Sequence, residues 1–527
     1  MTKPSRRSFL KTAALVGSAV GSSGFFIAES IAQETTRPNV ACVGIGGKGD
    51  GDSKNAAEYG NVVAICDVDN RSLDGKARDG RFQSAKKYSD FRKMLEENEK
   101  DIDIVTISAP DHMHAAATLM AMRMGKHCYT QKPLTRTIYE ARKLAEVAKE
   151  TGVCTQMGNQ GTALDGSRTA IDLMKAGIIG TIKEVIVWSN RPVWPQTQGR
   201  RRNMESHAAE MYADAANPEK PEITRKEADK LVWERYNEIQ QHMRNLDWKS
   251  WLGTAKYRDY FPGLYHGFNW RGWWDFGSGA LGDMACHMLT VPFVAAGLKD
   301  PTWVRAKTTG HDFDTYPEAS IIEFEFPANA ERGKIPFWWY DREGNRPPRE
   351  LFTKYGIGVE GAQGLQRRIA RMGVLIIGEK GAMYSTDDYC ENREFYVEGG
   401  ERINEDEGQW KTVKAKTEVV DPSSPTTTQN NDNRHMRELF RAVIAKDPKI
   451  CKSNFIDRAG PLTETILLGN LAVWAAATGG EEGAMGEWGE KVEWDAKNLV
   501  VTNLSSLKTP GVADIVKPTY SDGYRLD

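Results

Sequence analysis

The chain has 527 residues, with 70 basic side chains against 72 acidic ones and a formal net charge of −2. Its residues are 40% apolar and its mean hydropathy is −0.55, which excludes a disordered or collagen-like chain and gives no general electrostatic pull towards nucleic acid. A chain this long is expected to divide into two domains rather than fill one core.

The first 32 residues read as an export address. Ser5-Arg6-Arg7-Ser8-Phe9-Leu10-Lys11 precedes a modestly apolar stretch from Ala13 to Ala28, and Ser30 and Ala32 suit cleavage after Ala32. This order is that of a secretory signal of twin-arginine type. It predicts delivery to the periplasm by the twin-arginine translocase, which carries folded proteins, and no membrane span after cleavage. The seven cysteines are odd in number and lack CxxC spacing, so neither a disulfide framework nor a metal site is expected.

From Arg37 strands and helices alternate. Asn39 to Gly44, Val62 to Asp67 and Ile102 to Ser108 are continuous apolar strands; helices are expected over Ser53 to Tyr59, Ala115 to Met124 and Tyr139 to Thr151. Such strands belong to a parallel sheet covered on both faces. The first domain is placed at 37–152 and a second α/β domain at 153–500. In the second, Val185 to Trp188, Ile321 to Phe326 and Val374 to Ile377 are strand-like, and Met436 to Ala445 and Leu462 to Ala477 are helical. The charged stretch 199–245 reads as a mostly helical insertion, and 501–527 as an extended tail.

Directly after the first strand, Gly44-Ile45-Gly46-Gly47-Lys48-Gly49 matches GxGxxG, and Asp67 ends the second strand 18 residues beyond Gly49. Glycines at these positions let backbone approach a pyrophosphate at a helix N-terminus, and an acid at this distance suits the ribose hydroxyls. Asp67 would repel a 2′-phosphate, so NAD is favoured over NADP, with Arg71 nearby as the feature that keeps NADP in view.

Two further segments carry a resemblance. Ala109-Pro110-Asp111-His112-Met113-His114 is followed by Thr130-Gln131-Lys132-Pro133-Leu134, and later comes Trp273-Trp274-Asp275-Phe276-Gly277-Ser278-Gly279-Ala280-Leu281-Gly282-Asp283-Met284-Ala285-Cys286-His287. Together with the glycine motif these resemble the Gfo/Idh/MocA oxidoreductase family. The resemblance implies a Rossmann domain followed by an α/β domain with a large, open, mainly antiparallel sheet, whose face commonly joins subunits into a homodimer or homotetramer. It also implies a sugar or polyol substrate. Gln131 stands where the family usually has glutamate, which removes a negative charge beside Lys132. At the matched position, Lys132 would hold the substrate hydroxyl and stabilise a developing alkoxide.

The residues themselves add to this. Asp283 and His287 are four apart and share a face if their segment is helical. His287 suits a general base and Asp283 a hydroxyl ligand or an orienting partner. His112 and His114 either line the site beside Pro110 or stabilise a turn. His266, Trp270 and Arg271 lie in an aromatic-rich stretch, and Arg191 and Trp194 form a second wall that could face a sugar; at least half of these tryptophans are expected in the core.

An exported nicotinamide enzyme has little free cofactor around it, so it is expected to retain its own. The leading expectation is oxidation of a secondary hydroxyl, plausibly C3, of a sugar or glycoside to a keto-sugar. An NAD-dependent glycosidase working by transient C3 oxidation and elimination is the alternative, and a non-catalytic carbohydrate-binding protein is the third.

Overall fold

The computed structural model describes residues 37–196, 204–219, 224–418, 431–507, 509–521 and 523–526, and its first sheet has six parallel strands, of which the central ones, built mainly of Val, Ile, Ala and Cys, are the most apolar. These are β1 (Asn39–Val43), β2 (Asn61–Cys66), β3 (Lys86–Tyr88), β4 (Ile104–Ile107), β5 (His127–Gln131) and β6 (Thr155–Gly158). Their order is β3-β2-β1-β4-β5-β6, with the direction of winding reversing between β1 and β4. Helices α1 (Lys48–Tyr59), α2 (Asn70–Lys76), α3 (Phe91–Glu97), α4 (Asp111–Arg123) and α5 (Ile138–Thr151) connect them. A doubly wound sheet binds ligands beyond the carboxyl ends of the strands at that reversal. The expected export signal, residues 1–32, lies outside the described residues.

Three expectations need correction. Helix α1 starts at Lys48, not Ser53, because the glycine loop itself opens the helix, with Gly47 as its N-cap at φ 51°. Helix α4 starts at Asp111, directly after Pro110, where an acid in the first turn suits the helix dipole; His112 and His114 are therefore helical. The boundary at Gly152 falls too early, because β6 continues the first sheet by pairing with β5 from Cys128↔Thr155 to Gln131↔Gly158.

The second sheet has ten strands, β7 (Ile182–Trp188), β8 (Trp303–Thr308), β9 (Ser320–Phe326), β10 (Ile335–Tyr340), β11 (Gly373–Gly378), β12 (Ala382–Ser385), β13 (Arg393–Tyr396), β14 (Arg402–Ile403), β15 (Val492–Asp495) and β16 (Val500–Val501). Its order is β14-β13-β12-β11-β7-β10-β9-β8-β15-β16, and only β7 and β10 run parallel. In β9 Ile322, Phe324 and Phe326 are buried while Ile321, Glu323 and Glu325 are partly exposed, the alternation of a strand with one core face; over β7, β11, β12 and β13 the opposite face is buried too, beneath Phe352, Tyr355 and Ile357. The helices of this half begin with α6 (Asp165–Lys175). The charged stretch supplies α7 (Met204–Ala216) and α8 (Arg225–Met243).

After α9 (Trp248–Leu252), α10 (Gly279–Met288), α11 (Thr290–Ala296) and α12 (Asn431–Ala445), helix α13 (Gly460–Ala475) joins the two halves. It is buried almost all round. At Gly469 a Cβ would come within 2.4 Å of Leu281 on α10 and 2.8 Å of Phe324 on β9, so α10 seats on the sheet because this position carries no side chain. On its other side Glu464 of α13 pairs with Arg142 of α5 through Nη2 at 2.6 Å and Nε at 2.9 Å. Residues after α12 also cap the first sheet, as the Met157 amide donates to Ser453 O at 3.0 Å and the Phe455 amide to Thr155 Oγ1 at 3.1 Å.

The tail is not extended throughout, as the sequence suggested. It contains a short helix, Val512–Val516, and then returns to the first sheet, where Arg123 of α4 donates to Leu526 O at 2.7 Å. All seven cysteines are buried free thiols.

Candidate active site

Close packing shapes the glycine loop. A Cβ on Gly49 would sit 1.9 Å from Gly44 O, and one on Gly44, at φ 72°, would strike Ala109 N and Ser108 C at 2.8 Å. At Gly47 nothing lies within 4 Å and no side chain caps α1. The loop thus presents bare backbone at a helix N-terminus, the arrangement that suits a pyrophosphate. Gly44, Gly46, Gly47 and Lys48 line a cavity of about 510 Å³, within the roughly 300–1,000 Å³ of ligand sites.

Along this cleft Asp67 follows β2. Its carboxylate accepts from the Ile45 amide at 3.0 Å and the Asp69 amide at 2.9 Å, which leaves lone pairs for ribose hydroxyls. Burial pushes its pKa up, against the pull of these amides. Arg71 is held by Asp69 through Nε at 3.0 Å and Nη2 at 2.7 Å, so its charge is paired with a carboxylate rather than offered to a 2′-phosphate. The donor set fits a dinucleotide with a free ribose.

The segment 245–276 roofs the cleft. The Asp247 amide donates to Val68 O at 2.9 Å, and Asn70 N to Asn245 O at 2.8 Å. Gly253 has no room for a Cβ beside the Met113 sulfur, 2.0 Å away. Trp248, Trp251, Tyr265, Trp273 and Phe276 form one buried aromatic cluster here, so these rings are core. Trp251, His266, Phe268, Trp270 and Arg271 reach the cavity wall.

At the other end Lys132 lines the cavity next to Asp111 and Arg271. Its Nζ donates to Asp283 Oδ1 at 2.8 Å and Asp283 O at 3.0 Å, and Arg271 Nε lies 3.5 Å from the same carboxylate oxygen. Burial alone would raise the Asp283 pKa; Lys132 and Arg271 more than offset it and hold the group below the usual range. Arg271 is oriented by aromatic faces, with its guanidinium 4.3 Å from the centres of both Phe268 and Trp270.

Asp283 and His287 both lie on α10, four residues apart. Neither is on the cavity wall; Asp283 meets it through Lys132. Burial first, then the Lys132 charge, push the His287 pKa down to about 3, and its Nδ1 is hydrogen-bonded to the Tyr389 hydroxyl. Arg191 contributes positive charge at both His287 and Asp388.

Pro110 and Gln131 line the cavity. Gln131 Nε2 donates to the buried carboxyl of Asp52 at 2.8 Å, a group whose pKa burial raises against the opposing pull of Lys48. His114 does not line the cavity. Its ring nitrogens lie 2.8 Å from Pro133 O and 2.7 Å from Ala109 O, which makes it a brace for the Lys132 turn. His266 lines the cavity among the charges of Asp69, Arg71 and His242. Trp194 is buried, donates to Gln196 Oε1 at 2.8 Å, and approaches the site only through Phe268 and Arg271.

Three groups at this end escaped the sequence reading. Asp111 stands within the quoted Pro110 segment, which was its available signal. Burial raises its pKa to about 7, against a hydrogen bond from Ser278 Oγ at 2.6 Å and the charges of Arg271 and Lys132. Asp388 and Tyr389 come from the turn after β12, in a stretch with no motif.

Comparison with known proteins gives the fold a kinship. Residues 38–159 match an oxidoreductase family at its NAD-binding Rossmann fold, and residues 226–316 match the C-terminal alpha/beta domain of that family. A glycosyl hydrolase family 109 protein of Shewanella pealeana is 28% identical over 206 residues, covering 34% of this chain and 44% of that protein. An inositol 2-dehydrogenase of Salmonella typhimurium is 30% identical over 94 residues, 17% of this chain and 26% of that enzyme. The chain therefore spans less than half the length of these curated relatives. Among solved structures, an inositol dehydrogenase homolog from Azotobacter vinelandii, complexed with NADH and myo-inositol, is 14% identical at a TM-score of 0.52, covering 87% of this chain and 98% of that one. An oxidoreductase domain protein from Kribbella flavida is 15% identical at a TM-score of 0.51, covering 87% and 100%. At such identities the likeness is one of fold.

Proposed function

The chain belongs to the Gfo/Idh/MocA oxidoreductase family, and from that premise we propose an exported NAD-dependent oxidoreductase that converts a secondary hydroxyl of a sugar or glycoside, at C3, to a ketone. The observation that carries this reading is the Lys132–Asp283 pair at the end of the dinucleotide cleft, with Arg271 on the same carboxylate.

A dinucleotide held by the backbone of Gly44, Gly46 and Gly47 and by Asp67 would supply the hydride acceptor for the carbinol carbon. The chain has to place that carbon and remove the hydroxyl proton. The Lys132 ammonium, fixed by Asp283, donates to the hydroxyl oxygen and makes its proton more acidic as negative charge develops. Burial and the Lys132 charge hold His287 neutral, and in the tautomer whose Nδ1–H donates to the Tyr389 hydroxyl oxygen its Nε2 lone pair is open to the proton. Arg271, Trp270 and Phe268 offer a cation and flat apolar faces of the kind that take the hydroxyls and C–H faces of a sugar ring.

The Ser5–Lys11 segment supports periplasmic delivery, and the roof over the cleft supports a cofactor that stays bound between turnovers. We assign the subunit contact of a homodimer or homotetramer to the part of the second sheet's outer face that stays partly exposed, at β8 and β9. Similarity to glycosyl hydrolase family 109 proteins favours a second reading, an NAD-dependent glycosidase in which oxidation at C3 is transient, the C1 substituent is eliminated, water adds and hydride returns.

Protein purified after export, with no nucleotide added, is mixed with a panel of aryl glycosides while reduced-nicotinamide absorbance and leaving-group release are followed together. Reduction without release is the expected result. Release with transient reduction establishes the glycosidase, and sugar affinity with neither, even after NAD is added, establishes a carbohydrate-binding protein. In the same assay His287→Ala should keep its nucleotide and lose about 10²–10⁴-fold in rate; near-normal turnover removes His287 from the proton path.

A further inference from the structure

The Rossmann topology orders the cleft. The glycine loop takes the pyrophosphate and Asp67 the neighbouring ribose, so the nucleobase end lies beyond Asp67, where Ser89, Asp90 and Phe91 follow β3 and Met113 and Ala117 face in from α4. One more side chain lines this end, and it comes from the opposite end of the sequence: Tyr524.

Several anchors hold Tyr524 there. Its ring lies 6.4 Å from that of Phe91 at 25°, and the Arg92 guanidinium sits 4.7 Å from its centre. On one side of it, Ser521 N donates to Thr254 O at 3.2 Å and the Tyr520 hydroxyl bonds the Glu140 carboxylate. On the other, Leu526 O accepts from Arg123 at 2.7 Å and the Leu526 side chain is buried. Yet the ring itself is only partly buried. A segment tied down on both sides of an aromatic ring that still faces a cavity is built to present that ring.

We propose that Tyr524 is a nucleotide-binding residue whose ring forms the wall on which the adenine of the bound dinucleotide stacks, held in place by the anchors at Tyr520, Ser521 and Leu526. This rests on the reading that the chain retains a dinucleotide. An aromatic face suits any purine, so the ring adds affinity at the adenine end without touching the reacting end.

The test separates the two ends of the ligand. Purified protein is stripped of nucleotide, and the dissociation constants of NAD, ADP-ribose and nicotinamide mononucleotide are measured by calorimetry for wild type, Tyr524→Ala and Tyr524→Phe. Tyr524→Ala should bind NAD and ADP-ribose about tenfold or more weakly, the scale of base–aromatic stacking. Nicotinamide mononucleotide should bind unchanged, and Tyr524→Phe should match wild type. Nucleotide carried through purification, read by absorbance after denaturation, should fall in Tyr524→Ala. Unchanged ADP-ribose affinity in Tyr524→Ala, or an equal loss for the mononucleotide, overturns the proposal. If Tyr524→Ala does not fold, Tyr524→Leu fills the volume without a ring and is read the same way. A wild-type protein that binds none of the three overturns the dinucleotide reading itself, and the Tyr524 wall with it.

Discussion

Asp111 is the group at the reacting end whose charge changes near neutral pH. Its side chain is buried, and burial raises its pKa from 3.8 to about 7. Below that value the carboxyl is neutral; above it a negative charge appears in the cleft. NAD⁺ is one charge more positive than NADH, so deprotonation should favour the oxidised form. The affinity for NAD⁺ relative to NADH is expected to rise between pH 6 and pH 8, on the order of threefold to tenfold for one added charge in a partly screened cleft. Titrating both forms at pH 6, 7 and 8 measures this, and Asp111→Asn should flatten the dependence. A ratio independent of pH in the wild type would place the Asp111 titration elsewhere. His287 moves the other way: burial and Lys132 push it down to about 3, so it contributes no inflection in this window.

At the scale of elements, the reacting end depends on how α10 is seated. Gly469 brings α13 against Leu281 of α10 and Phe324 of β9. Gly469→Ala should therefore cost about 1–3 kcal/mol through overpacking, seen as a lower urea midpoint with an unchanged slope; an unaltered midpoint would mean that Leu281 turns aside freely. The elements also show what the sequence made legible. Val40 to Val43 is an uninterrupted apolar run and Ile104 to Ile107 is broken by Thr106 alone, as a sheet buried on both faces demands. The GxGxxG spacing located the loop because those glycines answer steric demands local to the chain. Lys132 and Asp283 were found through motifs, whereas their contact at 2.8 Å spans 151 positions and belongs to the tertiary fold. His114 looked like a ligand because a histidine beside a cleft offers the same ring to a carbonyl as to a cofactor; only the positions of Pro133 O and Ala109 O decide. Tyr389 and Asp388 lie in a turn with no periodicity, and Tyr524 in a tail whose docking depends on Arg92 and Arg123, so no local pattern marks them.

At the scale of the molecule, the two sheets are not independent. Helix α13 inserts between α5 and the second sheet, Glu464 meets Arg142, and Ser453 and Phe455 satisfy groups on the edge strand β6. The fragment spanning residues 37–159 should then fail to fold alone, with no cooperative melt by circular dichroism, while the whole chain melts in a single transition by calorimetry. A cooperative melt of the fragment would show that the Rossmann sheet supplies its own edge.

The Tyr524 wall adds a matter of timing. Arg123 and Leu526 are 403 positions apart, and at about 5–20 residues per second a ribosome needs roughly 20–80 s to travel between them. Throughout that interval the glycine loop already exists while the wall at Tyr524 does not. On the proposed reading of Tyr524, full affinity for the dinucleotide therefore arrives only once the chain has been synthesised through that residue, although the loop that takes the pyrophosphate is made near the start.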